Sequence, residues 1–210
     1  MENIKMNIHE ALAKKKLLDK RIKKEINNST FCSIRKKGKD VVFEGEKYSD
    51  FNSNAKANLQ RINDLISLKN RISKEIILSN ATTEVTIDGN TMTVAEAIDL
   101  KNQMPIYKLF LDCLKDDFRS ASENLLDENS DIKDKVAEMS KVLIGSEKNN
   151  TKDSEKLIKA FEEDNFYELV DPINIKEKIR KLEDFINGFE ANVDFALSTS
   201  NAITSIEVIG

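Results

Sequence analysis

The 210-residue sequence has no tryptophan, one histidine, two cysteines, two prolines and six glycines. Each shortage removes a class of fold or function. A single histidine, His9, excludes metal sites built from several imidazoles. Cys32 and Cys113 are isolated and lack the paired spacing of a thiolate site. The expectation is two buried free thiols, with a disulfide left open. Gly38, Gly45 and Gly89 make no phosphate-cradling pattern, and no serine or cysteine sits in a nucleophile-elbow context. Few prolines and glycines, with only 6% aromatic residues, point away from a sandwich and toward long helices. No apolar run approaches the roughly 20 residues needed to cross a bilayer. Met1–Ile8 already mixes charge with polarity, so no signal peptide is expected and the protein is expected to be made in the cytoplasm.

What the chain has in quantity is charge, 33% of all residues with a formal net of −4. The charge is unevenly placed. Residues 1–40 carry twelve Lys and Arg against five Asp and Glu, whereas residues 112–171 carry nine against seventeen. A separation of this kind can orient neighbouring copies in an assembly, although solvated helix faces often show the same bias.

The centre of the chain reads as helix, tight hairpin, helix. Leu59, Ile62, Leu65, Ile66, Ile72 and Ile76 recur at three- and four-residue steps, with Lys69 interrupting, which predicts a helix over about 53–79. Thr83–Ile87 and Thr91–Thr93 then flank Asp88, Gly89 and Asn90, residues that tolerate the positive φ of a tight hairpin turn. Thr93 caps the next helix, with Glu96 three residues on completing a capping box. That third helix starts at Val94 and carries Ala97, Ile98, Ile106, Leu109, Phe110 and Leu114, with a kink or break expected at Pro105.

On either side of this centre the pattern varies. Met6–Ile26 is a basic amphipathic helix with Ile8, Leu12, Leu18, Ile22 and Ile26 on its stripe. Phe31–Arg35 and Val41–Phe43 suggest a second hairpin, followed by a polar loop over 44–54. Residues 119–170 read as an inserted acidic helical arm, with one helix through Leu125, Ile132, Val136 and Val142–Ile144. A loop follows at 145–151, then a shorter helix through Leu157, Ile158 and Phe161. After Asp171-Pro172, Ile175, Ile179, Leu182, Ile186, Phe189, Val193 and Ala196 alternate steps of four and three, a coiled-coil seam that asks for a partner helix. Ser198–Asn201 should break that helix. Ile203–Ile209 alternates like a strand, to be paired with the central hairpin, the Phe31–Phe43 pair or a neighbouring chain. The fold expected is mainly α: an elongated antiparallel helical bundle with short β-hairpins and a C-terminal strand. Residues 1–118 and 171–210 would form the bundle and 119–170 the arm.

Catalytic chemistry is not expected. Asp116-Asp117 and Glu162-Glu163 lie in charge-rich helices, where solvated faces far outnumber acid–base pairs. No cofactor, metal or small-molecule substrate is expected. The basic residues Lys14–Lys24 and Arg35–Lys39 can meet phosphates, but only Phe31 and Phe43 are near them for stacking, so nucleic-acid binding is a lesser reading. Membrane-surface binding is not expected, because the first helix lacks interfacial aromatics.

Several ordered pieces resemble a known family. Ile8-His9-Glu10-Ala11-Leu12 opening a helix, Leu65-Ile66, Ile76–Thr83, and Asp88-Gly89-Asn90-Thr91-Met92-Thr93-Val94-Ala95-Glu96-Ala97 are similar to the septicolysin-like family of small bacterial proteins. Lys176–Val208 resembles that family's closing helix and short strand. The resemblance covers roughly residues 4–114 and 175–208, and its motifs are structural, carrying no active site. The same layout with an arm looks like virion structural proteins of phages of low-GC Gram-positive bacteria. It implies a structural protein that assembles with itself and with other virion proteins, as a capsid or tail accessory. The alternatives are a stand-alone cytoplasmic bacterial oligomer and a basic nucleic-acid-binding module.

Overall fold

A computed structural model describes residues 3–144 and 151–209. The expected loop at 145–151 lies outside the described residues, save Thr151, which opens a helix. Helices carry 75% of the described residues, with two small antiparallel sheets, so the fold is mainly α with minor β. In chain order the elements are β1 (Asn3–Asn7), α1 (Ile8–Asn27), α2 (Tyr48–Thr82), β2 (Glu84–Ile87), β3 (Asn90–Thr93), α3 (Val94–Ile144), α4 (Thr151–Asn165), α5 (Ile175–Ile203) and β4 (Ser205–Ile209). The chain divides into two compact units, Met1–Asn102 with Phe189–Gly210, and Gln103–Gly188. Residues 119–170, the expected arm, lie inside the second.

In the first unit, α1 and α2 pack side by side, joined by ion pairs Arg61–Glu25 and Lys69–Asp19. Their apolar stripes meet in one core that holds Met6, Ile8, Ala11, Leu18, Ile22, Leu65, Ile72 and Ile76. Burying such side chains contributes roughly 1.5–3 kcal/mol each, which is what keeps a helix as lysine-rich as α1 in place. Ile206 and Val208 of β4 complete the same core.

The partner of β4 corrects one expectation. It is neither hairpin nor another chain but β1, in the register Asn3↔Ile209 to Asn7↔Ser205. The first helix, expected from Met6, begins only at Ile8. The Ile4/Met6 alternation before it is instead a strand, with Met6 buried against the core.

Four further expectations change. No second hairpin forms over 31–43. Gly38 and Gly45 both hold positive φ and turn the chain twice, leaving only single bridges Arg35↔Val42 and Val41↔Lys47. The polar segment 44–54 is not wholly loop. Helix α2 begins at Tyr48, whose ring lies 3.7 Å from the Arg35 guanidinium carbon and whose N–H donates to Asp40. Helix α3 runs through Pro105 without a break. The lost hydrogen bond and ring clash cost about 3 kcal/mol. Burial of Met104, Leu111 and Leu114 around that point offsets it. Finally, Ser198–Asn201 stays helical. Ser200 is buried, and α5 ends only where the Thr204 N–H donates to the Ser200 carbonyl.

Two junctions of the first unit are built alike. Ser79-Asn80-Ala81-Thr82-Thr83 leads α2 into β2, and Ser200-Asn201-Ala202-Ile203-Thr204 leads α5 into β4. On the partner strands, Thr93-Val94-Ala95-Glu96-Ala97 and Asn7-Ile8-His9-Glu10-Ala11 turn β3 into α3 and β1 into α1. In both, the first helical N–H donates to the threonine before the opposite strand: Val94 to Thr83 at 2.8 Å and Ile8 to Thr204 at 3.0 Å.

In the second unit, the later part of α3 meets the early part of α5. Tyr107 and Phe185 rings lie 5.4 Å apart, Lys115 pairs with Glu183, and the Lys176 ammonium sits over the Phe118 ring. Asn129 holds the chain after α4 through both Tyr167 backbone groups, at 2.9 and 3.0 Å. The Asp171 carboxylate accepts from the Ile175 N–H at 2.9 Å and so starts α5.

Candidate functional site

The residues singled out from the sequence fall into three places. Asp88 (φ 48°) and Gly89 (φ 77°) form the two-residue turn of the β2–β3 hairpin. Asn90 is the first residue of β3, paired with Ile87, and its amide donates to the Asp88 carbonyl at 3.2 Å. Positive φ at both turn residues is what matches the twist of the flanking strands.

Thr93 and Glu96 form the expected capping box. The Thr93 N–H donates to the Glu96 carboxylate at 2.7 Å, and the Glu96 N–H donates to the Thr93 hydroxyl at 3.2 Å. The Thr93 N–H, then its hydroxyl, holds the Glu96 carboxyl below the usual range. Asn7 and Glu10 make a second box at the start of α1, at 2.9 and 2.8 Å, which the sequence-based reading did not name. Its asparagine in place of serine or threonine hid the pattern, although asparagine caps equally well.

The seam residues of α5 divide. Ile186, Phe189 and Val193 are buried within this chain, while Ile175, Ile179 and Leu182 are half-buried. In the first unit Lys101 of α3 pairs with Asp194 beside that stripe. The buried half of the seam therefore has its cover within this one chain.

Other candidate groups are separate. Cys32 and Cys113 are free and exposed, which corrects the expected burial: the loop after α1 and the face of α3 that carry them are open. His9 donates through Nε2 to the Ser198 carbonyl at 3.1 Å. A groove of about 580 Å³ in the loop before α2 is lined by Ile34, Arg35, Lys39, Asp40 and Phe43. Among the described residues, no three His, Cys, Asp or Glu side chains are placed to hold a metal ion, and no helix is long and apolar enough to cross a membrane.

Comparison with protein-family models, with curated proteins and with solved structures finds no match to this chain.

Large apolar side chains also stand exposed on helices of both units. Leu17, Ile77, Ile106, Leu109, Leu126, Val142, Phe195 and Ile203 are each at least 66% exposed. Single exposed leucines are ordinary. Leu17, Ile77, Phe195 and Ile203 belong to the first unit and Ile106, Leu109, Leu126 and Val142 to the second, each available for contact with protein.

Proposed function

We propose that the protein is a non-enzymatic structural protein that assembles in many copies, as a capsid or tail accessory component of a bacteriophage particle. The observation that carries the assembly is the number of large apolar side chains exposed on the helices, since each loses its water contact when copies pack against it. Charge supports it. Lys16, Lys20, Arg21, Lys23 and Lys24 lie exposed along α1, and the segment 112–171 is strongly acidic, so the basic helix of one copy suits the acidic helices of another. The particle setting rests on the resemblance to virion structural proteins described above. Two measurements test the reading: light scattering of the purified protein across concentration, and mass spectrometry of purified phage particles. The expected results are concentration-dependent assembly and presence in the particle. A protein that stays monomeric and is missing from particles refutes it.

A further inference from the structure

Resting on the multi-copy reading above, we infer that β2 is an assembly edge that pairs antiparallel with β2 of a second copy, giving a four-stranded sheet β3–β2–β2–β3. The hydrogen-bond parity of the hairpin identifies the open groups. Ile87 and Asn90 pair next to the turn, and the Val94 N–H donates to the Thr83 carbonyl. Antiparallel ladders alternate, so Thr83, Val85 and Ile87 direct their backbone groups toward β3, while Glu84 and Thr86 direct theirs away from it. The Thr86 and Thr91 hydroxyls, 3.2 Å apart, agree with the closer, non-hydrogen-bonded spacing of that pair.

Two outward N–H groups on the other strands are already taken. On β3 the outward N–H of Thr93 is taken by Glu96, and on β1 that of Asn7 is taken by Glu10. Strand β4, the counterpart of β2 in the matching junction, lies against α2 and shares its core. Strand β2 instead borders a groove of about 280 Å³ against α5, lined by Glu84, Thr86, Phe195, Thr199 and Ile203. Among the described residues, the Glu84 and Thr86 N–H groups have no partner.

A second copy of the same edge fits these groups. With the two-fold axis at Val85, Glu84 faces Thr86 of the second copy and Thr86 faces its Glu84. Each of those pairs exchanges two backbone bonds. No carboxylate stands directly opposite another, so the register avoids like-charge repulsion. An axis perpendicular to the sheet keeps both Val85 side chains on the inner face. The added strand then lies over Phe195 and Ile203, which are 77% and 76% exposed in the single chain.

Cross-linking in a background with Cys32→Ser and Cys113→Ser tests the register. Glu84→Cys with Thr86→Cys places each thiol opposite its mate at a Cα spacing of about 5.5 Å, inside the disulfide range of about 4.4–6.8 Å. A covalent dimer should form on mild oxidation. Either cysteine alone meets its like only diagonally, at about 7–8 Å, and should cross-link roughly tenfold less. In parallel, Thr86→Pro removes an outward N–H while leaving the β3 ladder intact, and should raise the concentration for assembly roughly tenfold. If the wild type assembles, the double cysteine variant does not cross-link and Thr86→Pro assembles normally, this edge is wrong and the multi-copy reading stands. A wild type that never assembles overturns both. Should Thr86→Pro unfold, the cross-linking result decides alone.

Discussion

His9 Nε2 and the Ser198 carbonyl lie 3.1 Å apart, a bond that ties the first turn of α1 to α5 across 189 positions of sequence. A carbonyl only accepts, so this nitrogen carries the proton. His9→Ala should lose about 1 kcal/mol, seen as a fall of roughly 2–4 °C in melting temperature for a chain of this size. His9→Gln, with an amide donor, should recover part of it. Equal melting temperatures for all three proteins would show that the bond contributes nothing.

Acid should loosen the β3–α3 junction. The Glu96 carboxyl is held below its ordinary value of 4.5 by the Thr93 N–H and hydroxyl. A lowered folded-state value means the stabilisation is complete above the ordinary value and is lost as pH falls through the lowered one. Glu96→Gln keeps an acceptor but removes the titration. Thermal melts at neutral and acid pH should therefore differ less for the variant than for the wild type. An equal or larger pH dependence in the variant would contradict this.

At the hairpin turn, Gly89→Val should cost more than about 1 kcal/mol, and Gly89→Asn markedly less. An added Cβ meets no heavy atom within 4 Å, so the cost comes from the positive φ and not from crowding. Urea unfolding of the two variants separates these causes, since a purely steric site would rank them by size alone.

Phe189→Asp should unfold the chain rather than dissociate it. Phe189 is 2% exposed within the single chain. Truncating such a residue costs about 3–5 kcal/mol, and an unpaired buried carboxylate adds to that. Circular dichroism should show lost helix at temperatures where the wild type is folded. A folded monomer would instead place Phe189 in a contact between copies.

Much of the helical framework was legible because apolar residues repeat at helical spacing and because Asp88-Gly89 and Thr93–Glu96 carry their geometry in their chemistry. Strand β1 was not legible. Ile4 and Met6 make too short an alternation to stand out, and their pairing depends on residues about two hundred positions away. At Ser198–Asn201 local preference favoured a break and buried neighbours outweighed it, while at Pro105, where the sequence asks for a kink or a break, the helix is unbroken. The α5 seam was visible, but periodicity states only that a stripe is covered, not by which chain. The open edge of β2 follows from hydrogen-bond parity, which composition does not encode.

The pairing of Asn3–Asn7 with Ser205–Ile209 also sets an order of events during synthesis. Translation at roughly 5–20 residues per second leaves β1 without its mate for on the order of ten to forty seconds. In that interval α1 and α2 can already meet, but Met6 and Ile8 wait beside an unfinished core. A nascent chain stalled before Ser205 would thus display a hydrogen-bonding strand and an apolar patch together, the combination that holding chaperones bind.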